Sequence, residues 1–194
     1  MRSYPWVYRV SKRDADYGSF LFTHNITALG IRLAGHATDV QDMARTRWKD
    51  WLASVEDGIH LLSQCCDNIF LAGLSMGGAL SLLAASIYPV RGIIAMSTPY
   101  EIKKDWRINF AKQISFFIPT IKKETNDISD KEIAQEHVDY PSYPTRSIAE
   151  LIILLDRLHA RLNKIDTPIL LINSKKDPSV PISHMKTYQQ LISS

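Results

Sequence analysis

The chain has 194 residues, of which 45% are hydrophobic and 22% are charged, as is typical of one soluble globular domain with a sizeable core. The formal net charge of +3 is small, and the basic pairs Lys103-Lys104 and Lys122-Lys123 are isolated. A nucleic-acid-binding face is therefore not predicted. The two cysteines, Cys65 and Cys66, are adjacent and cannot cross-link distant segments, which favours a reducing cytoplasm.

The sequence also limits the membrane and cofactor classes. No apolar run approaches the roughly 20 residues that span a bilayer, and the N-terminus carries no apolar segment of the signal-peptide kind. We expect a cytoplasmic protein without stable membrane insertion, without a cofactor and without a metal. The sequence favours neither a monomer nor a homodimer.

Short apolar runs alternate with longer amphipathic segments from residue 26 onwards, which predicts strand–helix–strand units and a mostly parallel sheet flanked by helices. We predict strands over Ile26–Leu33, Asn68–Leu74, Gly92–Met96 and Pro168–Asn173, and helices over Trp48–Cys65, Met76–Ile87, Ile148–Leu162 and Ser183–Ile192. Residues 100–145 break the alternation, and we expect an insertion over one end of the sheet. Residues 1–194 are thus predicted to form a single α/β domain.

Ser75 lies in the segment Gly73–Gly78 (GLSMGG), between a predicted strand and a predicted helix. This order is typical of a nucleophile elbow, a tight turn that holds a serine hydroxyl above the sheet. The three glycines of the segment allow strand and helix to pack closely. The Met76 backbone N–H lies at the helix start, where it can stabilise an oxyanion. The alternative interpretation is a glycine-rich turn whose serine only caps the helix.

Asp177 follows the predicted strand Pro168–Asn173 and precedes the last predicted helix. In hydrolases with such an elbow the acid follows the serine in the chain and lies after a later strand. Asp177 is therefore the candidate for the group that orients a catalytic histidine. The alternative is a turn aspartate before Pro178. Asp156 and Asp166, on or beside a helix, are weaker candidates.

No histidine is an obvious partner for these two residues. His36 lies in a loop after a predicted strand and could line the site, as could Leu74 beside the nucleophile. His184 comes soon after Asp177 at a predicted helix start, where a solvated histidine is the stronger interpretation. The remaining histidines are interpreted as surface or core residues: His24, His60, His137 and His159.

Five segments of the chain form a series: GIRLAGHATD, RWKDWLASVEDG, IFLAGLSMGGALSLLAA, GIIAMSTP and LLINSKKDPSVP. Together they resemble bacterial carboxylesterases and monoacylglycerol lipases of the α/β-hydrolase superfamily, from about residue 26 to residue 192. The resemblance implies an α/β-hydrolase fold with a small cap over residues 100–145. It also implies hydrolysis of short-to-medium-chain carboxylic esters or monoacylglycerols, with Ser75 as nucleophile and Asp177 as acid.

The resemblance implies two further features that this sequence does not show as written. One is a catalytic histidine on a loop well beyond the acid, whereas the chain ends at Ser194. The other is an HG-x-x-G oxyanion loop after the first core strand, which nothing in residues 1–25 matches. The alternatives are therefore a catalytically inactive, truncated hydrolase and a related peptidase or lactonase. In a truncated chain we expect the sheet edge and the apolar face of Ile148–Leu162 to be exposed.

The genetic code offers an account of the missing oxyanion loop. Read one base later, codons for Pro5–Ala15 can encode HGFTGSPKEMR, a loop of the missing kind. Trp6 followed by any valine codon forces the first glycine of that loop. We therefore expect residues 1–17 to be an out-of-frame translation, and a divergent N-terminal segment over residues 1–25 is the alternative.

Overall fold

A computed structural model describes residues 12–102, 120–122 and 142–192. The helices and strands of these residues, in chain order, are α1 (Lys12–Thr23), α2 (Val40–Arg45), α3 (Trp48–Ser63), β1 (Phe70–Leu74), α4 (Met76–Ala85), β2 (Gly92–Met96), β3 (Thr120–Lys122), β4 (Ser142–Pro144), α5 (Thr145–His159), a 3-10 turn (Leu162–Lys164), β5 (Ile169–Ile172) and α6 (Ile182–Ile192). No helix of the described ranges is long and apolar enough to cross a membrane.

Three strands form a parallel sheet in the order β1-β2-β5. Phe70 pairs with Gly92 and Ile93 pairs with Ile169, so the strands end at the same edge of the sheet. Their sequences (FLAGL, GIIAM and ILLI) are near-continuous apolar runs, as expected where parallel strands are joined by covering helices. The short strands β3 and β4 pair separately and are antiparallel. The predicted mostly parallel sheet flanked by helices is confirmed.

Helix α4 is at the centre of the core and packs on β1 and β2. Its residues from Gly78 to Ala85 are all buried, as expected of a helix that is apolar on every side. Helices α3 and α5 pack against it. Trp51 on α3 is fully buried, and its indole N–H donates to the Thr46 hydroxyl at 3.0 Å, which satisfies its polar group.

The predicted strand over Ile26–Leu33 is wrong, because these residues have no regular secondary structure. None of the strand pairings in the described part of the chain includes them. Instead the segment runs along α3: Ile31 packs against Gly58, where an added Cβ would lie 2.5 Å from its Cδ1 atom. The Ala34 N–H donates to Ser54 Oγ. The apolar pattern correctly indicated contact with the core, but packing on a helix replaces pairing in the sheet.

The expected exposure of the apolar face of Ile148–Leu162 is also wrong. Helix α5 buries Ala149, Leu154, Leu155 and Leu158 against α2, α3 and α4. The exposed apolar surface lies on the sheet. Register places alternate residues of each strand on one side, and on the side opposite α4 several strand side chains are solvent-exposed: Phe70, Leu74, Leu170 and Ile172.

Helices α1 and α2 were not predicted from the sequence. Helix α2 begins at the N-cap Asp39, whose carboxylate accepts the Asp42 N–H, a short polar signal that the apolar pattern does not contain.

Of the segment expected to be out of frame, residues 1–11 lie outside the described residues. So does most of the expected cap over residues 100–145, apart from its two ends and strand β3.

Candidate active site

Ser75 occupies the turn between β1 and α4 in a backbone conformation that few side-chain-bearing residues adopt. Its φ and ψ angles are 54° and −119°, which costs about 1–3 kcal/mol for a residue other than glycine. Its N–H donates to the Met96 carbonyl at 2.8 Å, and its carbonyl accepts the N–H groups of Gly78 and Ala79. These hydrogen bonds hold the strained residue between strand and helix, as a nucleophile elbow requires.

The Ser75 side chain is not used to cap the helix. Ser75 is the N-cap residue of α4, yet its hydroxyl makes no capping hydrogen bond, and the residue is exposed. A serine retained only as a cap would accept an N–H of the first helical turn. The geometry therefore argues against the helix-cap interpretation of this residue.

Two of the three glycines are required by the close packing at the turn between β1 and α4. A Cβ on Gly73 would overlap the Gly77 carbonyl group and lie 2.6 Å from the Gly78 nitrogen, and one on Gly78 would overlap the Thr98 hydroxyl. A Cβ on Gly77 would meet no atom of the described residues within 4 Å. The expectation that all three glycines serve the packing of strand and helix is therefore confirmed for Gly73 and Gly78 and is not supported for Gly77 by the described residues.

Asp177 lies in the loop between β5 and α6. Its Oδ1 atom accepts the N–H groups of Ser179 at 3.0 Å and Val180 at 2.9 Å, and the Ser97 side chain also hydrogen-bonds to it. Burial opposes ionisation, but these three hydrogen bonds outweigh burial and hold the pKa of Asp177 below its ordinary value. Asp177 does stabilise a turn, and it also presents the half-buried, ionised carboxylate that a triad acid must have.

Ser75 and Asp177 are brought to the same edge of the sheet. Ser75 directly follows β1, Ser97 directly follows the neighbouring β2, and Asp177 lies in the loop after β5. The Ser97 N–H donates to the Ile172 carbonyl at the end of β5 at 2.7 Å. Since adjacent strands are about 4.8 Å apart, Ser75 and the strand leading to Asp177 are separated by roughly 10 Å. An imidazole bridging a serine hydroxyl and a carboxylate fills a gap of this order.

Two histidines bind the backbone of Tyr100 instead of Ser75. The Tyr100 N–H donates to Nδ1 of His184 at 3.1 Å. His159 Nε2 donates to the Tyr100 carbonyl at 2.9 Å. The rings of His159 and Tyr100 also stack, with centroids 4.1 Å apart. Because Nδ1 of His184 accepts a backbone hydrogen bond, its proton is on Nε2. The contacts make His184 an anchor at the start of the 100–145 segment.

His36 is a half-buried neutral histidine that contacts Ala34 and Trp51 and does not contact Tyr100. Its Nδ1–H donates to the Ala34 carbonyl at 3.2 Å, and its ring meets Trp51 edge-on at 5.8 Å. Burial lowers the pKa of His36, with the Arg32 charge acting in the same direction and the Ala34 carbonyl opposing both. Its Nε2 atom therefore carries a lone pair, as a base would. No hydrogen bond between described residues joins it to Ser75, and its site-lining role stays a prediction.

Two further histidines, His60 and His24, make contacts that do not involve Ser75. His60 on α3 lies 3.7 Å from the Glu56 carboxylate, and His24 contacts the Phe20 carbonyl through Nδ1 at 2.9 Å. Both are exposed, in agreement with the interpretation as surface residues. His137 lies outside the described residues.

Met76 and Leu74 flank the candidate nucleophile. Met76 is the first residue of α4, and the first N–H groups of a helix have no acceptor within the helix and lie at its positive end. The Leu74 side chain is exposed at the end of β1, adjacent to Ser75. Met76 is in the position expected of an oxyanion donor, and Leu74 is in the position expected of a site-lining residue. Both roles stay predictions.

Sequence reasoning missed Ser97 and Tyr100. Ser97 has a positive φ of 42° and binds both the end of β5 and the Asp177 loop, and Tyr100 is the residue that both histidines hold. The available signal was the polar segment Ser97–Pro99 directly after an apolar run, since parallel strands carry functional residues at their carboxyl ends.

The chain is similar to known proteins along most of its length. The family model described as serine aminopeptidase, S33, matches residues 9–194. The thermostable monoacylglycerol lipase of Bacillus sp. (strain H-257) is 34% identical over 165 residues, which cover 84% of this chain and 64% of that protein. A carboxylesterase of Bacillus subtilis (strain 168) is 25% identical over 161 residues, which cover 82% of this chain and 64% of that protein. The chain thus spans slightly less than two thirds of the length of these relatives.

Solved structures give the same fold. A structure from work on LipS and LipT, two metagenome-derived lipolytic enzymes, has a TM-score of 0.77 at 26% identity, covering 90% of this chain and 71% of that one. The monoacylglycerol lipase of Paleococcus ferrophilus has a TM-score of 0.71 at 14% identity, covering 92% and 75%. At such low identity the second likeness shows the fold alone. Together they confirm the α/β-hydrolase fold expected from the five sequence segments.

Proposed function

This chain belongs to the serine aminopeptidase S33 family of α/β-hydrolases, and we propose that it is a serine hydrolase that cleaves carboxylic esters through an acyl-enzyme. The observation that carries the proposal is the Ser75 elbow, in which a strained serine at a helix N-terminus has a hydroxyl that is not used as a cap. Such strain persists only where the surrounding hydrogen bonds impose it, and it is concentrated at functional sites.

The proposed chemistry uses three groups that the structure describes and a general-base histidine that it does not identify. The Ser75 hydroxyl attacks the ester carbonyl carbon, and the Met76 N–H donates to the oxyanion that forms. The serine proton passes to a histidine that the Asp177 carboxylate orients, and the same proton then goes to the leaving alcohol. Water hydrolyses the acyl-enzyme by the reverse sequence of proton transfers.

The substrate class is proposed from the two relatives. A monoacylglycerol lipase and a carboxylesterase are among the proteins that this chain resembles, so we propose a small carboxylic ester or a monoacylglycerol. Residues 100–145 are proposed to form a cap that shapes the acyl pocket. The exposed Leu74 beside the nucleophile provides an apolar surface for the acyl chain.

A substrate panel tests this proposal against the peptidase alternative that the family's description raises. Turnover of chromogenic acetyl, butyryl and octanoyl esters is compared with that of aminoacyl p-nitroanilides, for the wild-type chain and for Ser75→Ala. Ser63→Ala, an exposed serine at the end of α3, is the matched control. We expect hydrolysis of esters that is lost only in Ser75→Ala. Preferential cleavage of the anilides would assign the chain to the peptidases instead.

A second candidate function is a binding protein without catalysis. It is favoured by one observation: in the described part of the chain, none of the histidines hydrogen-bonds to Ser75 or Asp177. Triad members act as a unit, so a site without its base loses about 10⁴-fold or more in rate. Ester binding without Ser75-dependent turnover, measured by calorimetry with a non-hydrolysable ester analogue, would support this candidate.

The remaining features of the proposal concern location and assembly. We propose a cytoplasmic protein that acts as a monomer or homodimer on small molecules. Its support is the free state of both cysteines, Cys65 and Cys66, which suits a reducing compartment. Sedimentation of the purified protein distinguishes monomer from homodimer.

A further inference from the structure

Cys65 and Cys66 place two thiols side by side where helix α3 ends. Their Sγ atoms are 3.8 Å apart, and neither forms a disulfide. Cys65 is exposed and Cys66 is partly exposed. A thiophilic atom with bonds of about 2.3 Å to two thiolates holds the sulfurs about 3.3 Å apart at a right angle and about 3.8 Å apart at the tetrahedral angle. The two thiols are therefore within about half an ångström of the spacing that a pyramidal trivalent atom requires.

The backbone that carries this pair is fixed. The Leu62 carbonyl accepts the N–H of Cys65 at 3.0 Å and the N–H of Cys66 at 2.8 Å. The Thr27 side chain hydrogen-bonds to Cys66. Both thiols are thus presented from one turn, and a ligand that binds them has little conformational freedom to remove.

We propose that Cys65 and Cys66 form a binding site for monosubstituted trivalent arsenicals and similar thiophilic groups that require two sulfur ligands. A zinc ion in a structural site takes four protein ligands, and no group of three or more His, Cys, Asp or Glu residues able to hold a metal exists among the residues that the structure describes. An organoarsenical, R–As(OH)₂, brings its own carbon substituent and needs only two sulfurs.

The binding step is an exchange without oxidation or reduction. Each thiol proton joins one arsenic-bound hydroxide, two water molecules leave and two As–S bonds form, so arsenic stays trivalent. Burial, reinforced by the Cys65 thiol and the Asp67 carboxylate, raises the pKa of the Cys66 thiol.

The site is separate from Ser75 and does not depend on the proposed function. Strand β1 lies between the cysteines and the elbow, and its five residues span about 17 Å. An arsenical on the dithiol therefore cannot contact the Ser75 hydroxyl. The proposal and the esterase proposal can fail independently.

Titration of the wild-type chain with phenylarsine oxide, followed by intact-mass spectrometry and a count of thiols reactive with Ellman's reagent, tests the site. We expect one phenylarsenic group per chain, the loss of both reactive thiols together, and reversal by 2,3-dimercaptopropanol but not by 2-mercaptoethanol. An adduct that leaves one thiol reactive overturns the proposal. This thiol count requires no variant.

Single-cysteine variants provide the second measurement. Cys65→Ser and Cys66→Ser each remove one arm of the chelate, and we expect the affinity for phenylarsine oxide to fall by roughly 100-fold or more in each. Their remaining thiol, counted with iodoacetamide, and their circular dichroism report on folding. Ser75→Ala should bind like the wild type. Unchanged affinity in either cysteine variant overturns the proposal.

Discussion

The contrast between Gly73 and Gly77 gives the sharpest structural prediction for the elbow. In Gly73→Ala the new methyl group would overlap the Gly77 carbonyl group and lie 2.6 Å from the Gly78 nitrogen. These are backbone atoms that no rotamer change can move aside, so β1 and α4 must separate. Overpacking of this kind costs about 3 kcal/mol or more.

Gly77→Ala is the matched substitution, and we expect it not to lower the free energy of unfolding. Its methyl group would meet nothing among the described residues within 4 Å, and Gly77 is in the first turn of α4. Alanine has the higher helix propensity, by up to about 1 kcal/mol. We therefore expect a neutral or slightly stabilising change.

Urea unfolding followed by tryptophan fluorescence measures both variants, because Trp51 is fully buried beside the core helix. The two free energies of unfolding should differ by about 3 kcal/mol or more. Similar stabilities for Gly73→Ala and Gly77→Ala would refute the close-packing account of the elbow. A change in the denaturant slope alone would indicate an effect on the unfolded state.

Three further predictions concern single residues. Arg161→Ala should destabilise the chain by about 1–2 kcal/mol in urea unfolding, because the guanidinium donates to the Ser86 hydroxyl and carbonyl at the C-terminal end of α4. Ala37→Gly should stabilise it by about 1 kcal/mol in the same assay, because Ala37 is exposed with a φ of 54°. Ser97→Ala should raise the pKa of Asp177, followed by carboxyl-carbon NMR, because it removes one hydrogen bond to that carboxylate.

The Asp177 prediction has a counterpart in stability. A carboxylate whose folded-state pKa is depressed contributes stability above its unfolded pKa, and that contribution is lost as pH falls through the folded pKa. The stability advantage of the wild type over Asp177→Asn should thus be under about 1 kcal/mol, because the carboxylate is only partly buried and solvent screens its interactions. It should be present at neutral pH and vanish on acidification below the ordinary value of 3.8. An advantage independent of pH would contradict the sign of the shift.

The sequence predicted the elements that apolar periodicity defines and missed those defined by polar contacts. Strand β2 is observed over the predicted Gly92–Met96, and α3 and α6 differ from their predictions by a residue or two, because long apolar patterns determine burial. The segment Ile26–Leu33 failed because an apolar run shows burial but not its partner. Packing against helix α3 buries these apolar side chains as well as pairing with a neighbouring strand would have.

The candidate site was predictable where backbone geometry follows from local sequence. The GLSMGG segment predicted the Ser75 turn because strand, helix and close approach are all local requirements. The Ser97 contact to Asp177 joins positions distant in the chain, so no local pattern predicts it. The out-of-frame interpretation of residues 1–17 stays a prediction, and the nucleotide sequence tests it.

Labelling of Ser75 by a fluorophosphonate probe, with and without free imidazole, tests the central claim most directly. Because no histidine of the described residues contacts Ser75 or Asp177, the account predicts slow labelling of Ser75, which added imidazole accelerates by acting as a general base. Peptide mapping should place the label on Ser75, with none in Ser75→Ala and normal labelling in Ser63→Ala. Labelling that survives Ser75→Ala would contradict the nucleophile assignment. Rapid labelling of Ser75 that imidazole does not increase would instead show that a histidine of this chain, with His36 or His184 the first to examine, already serves as the base.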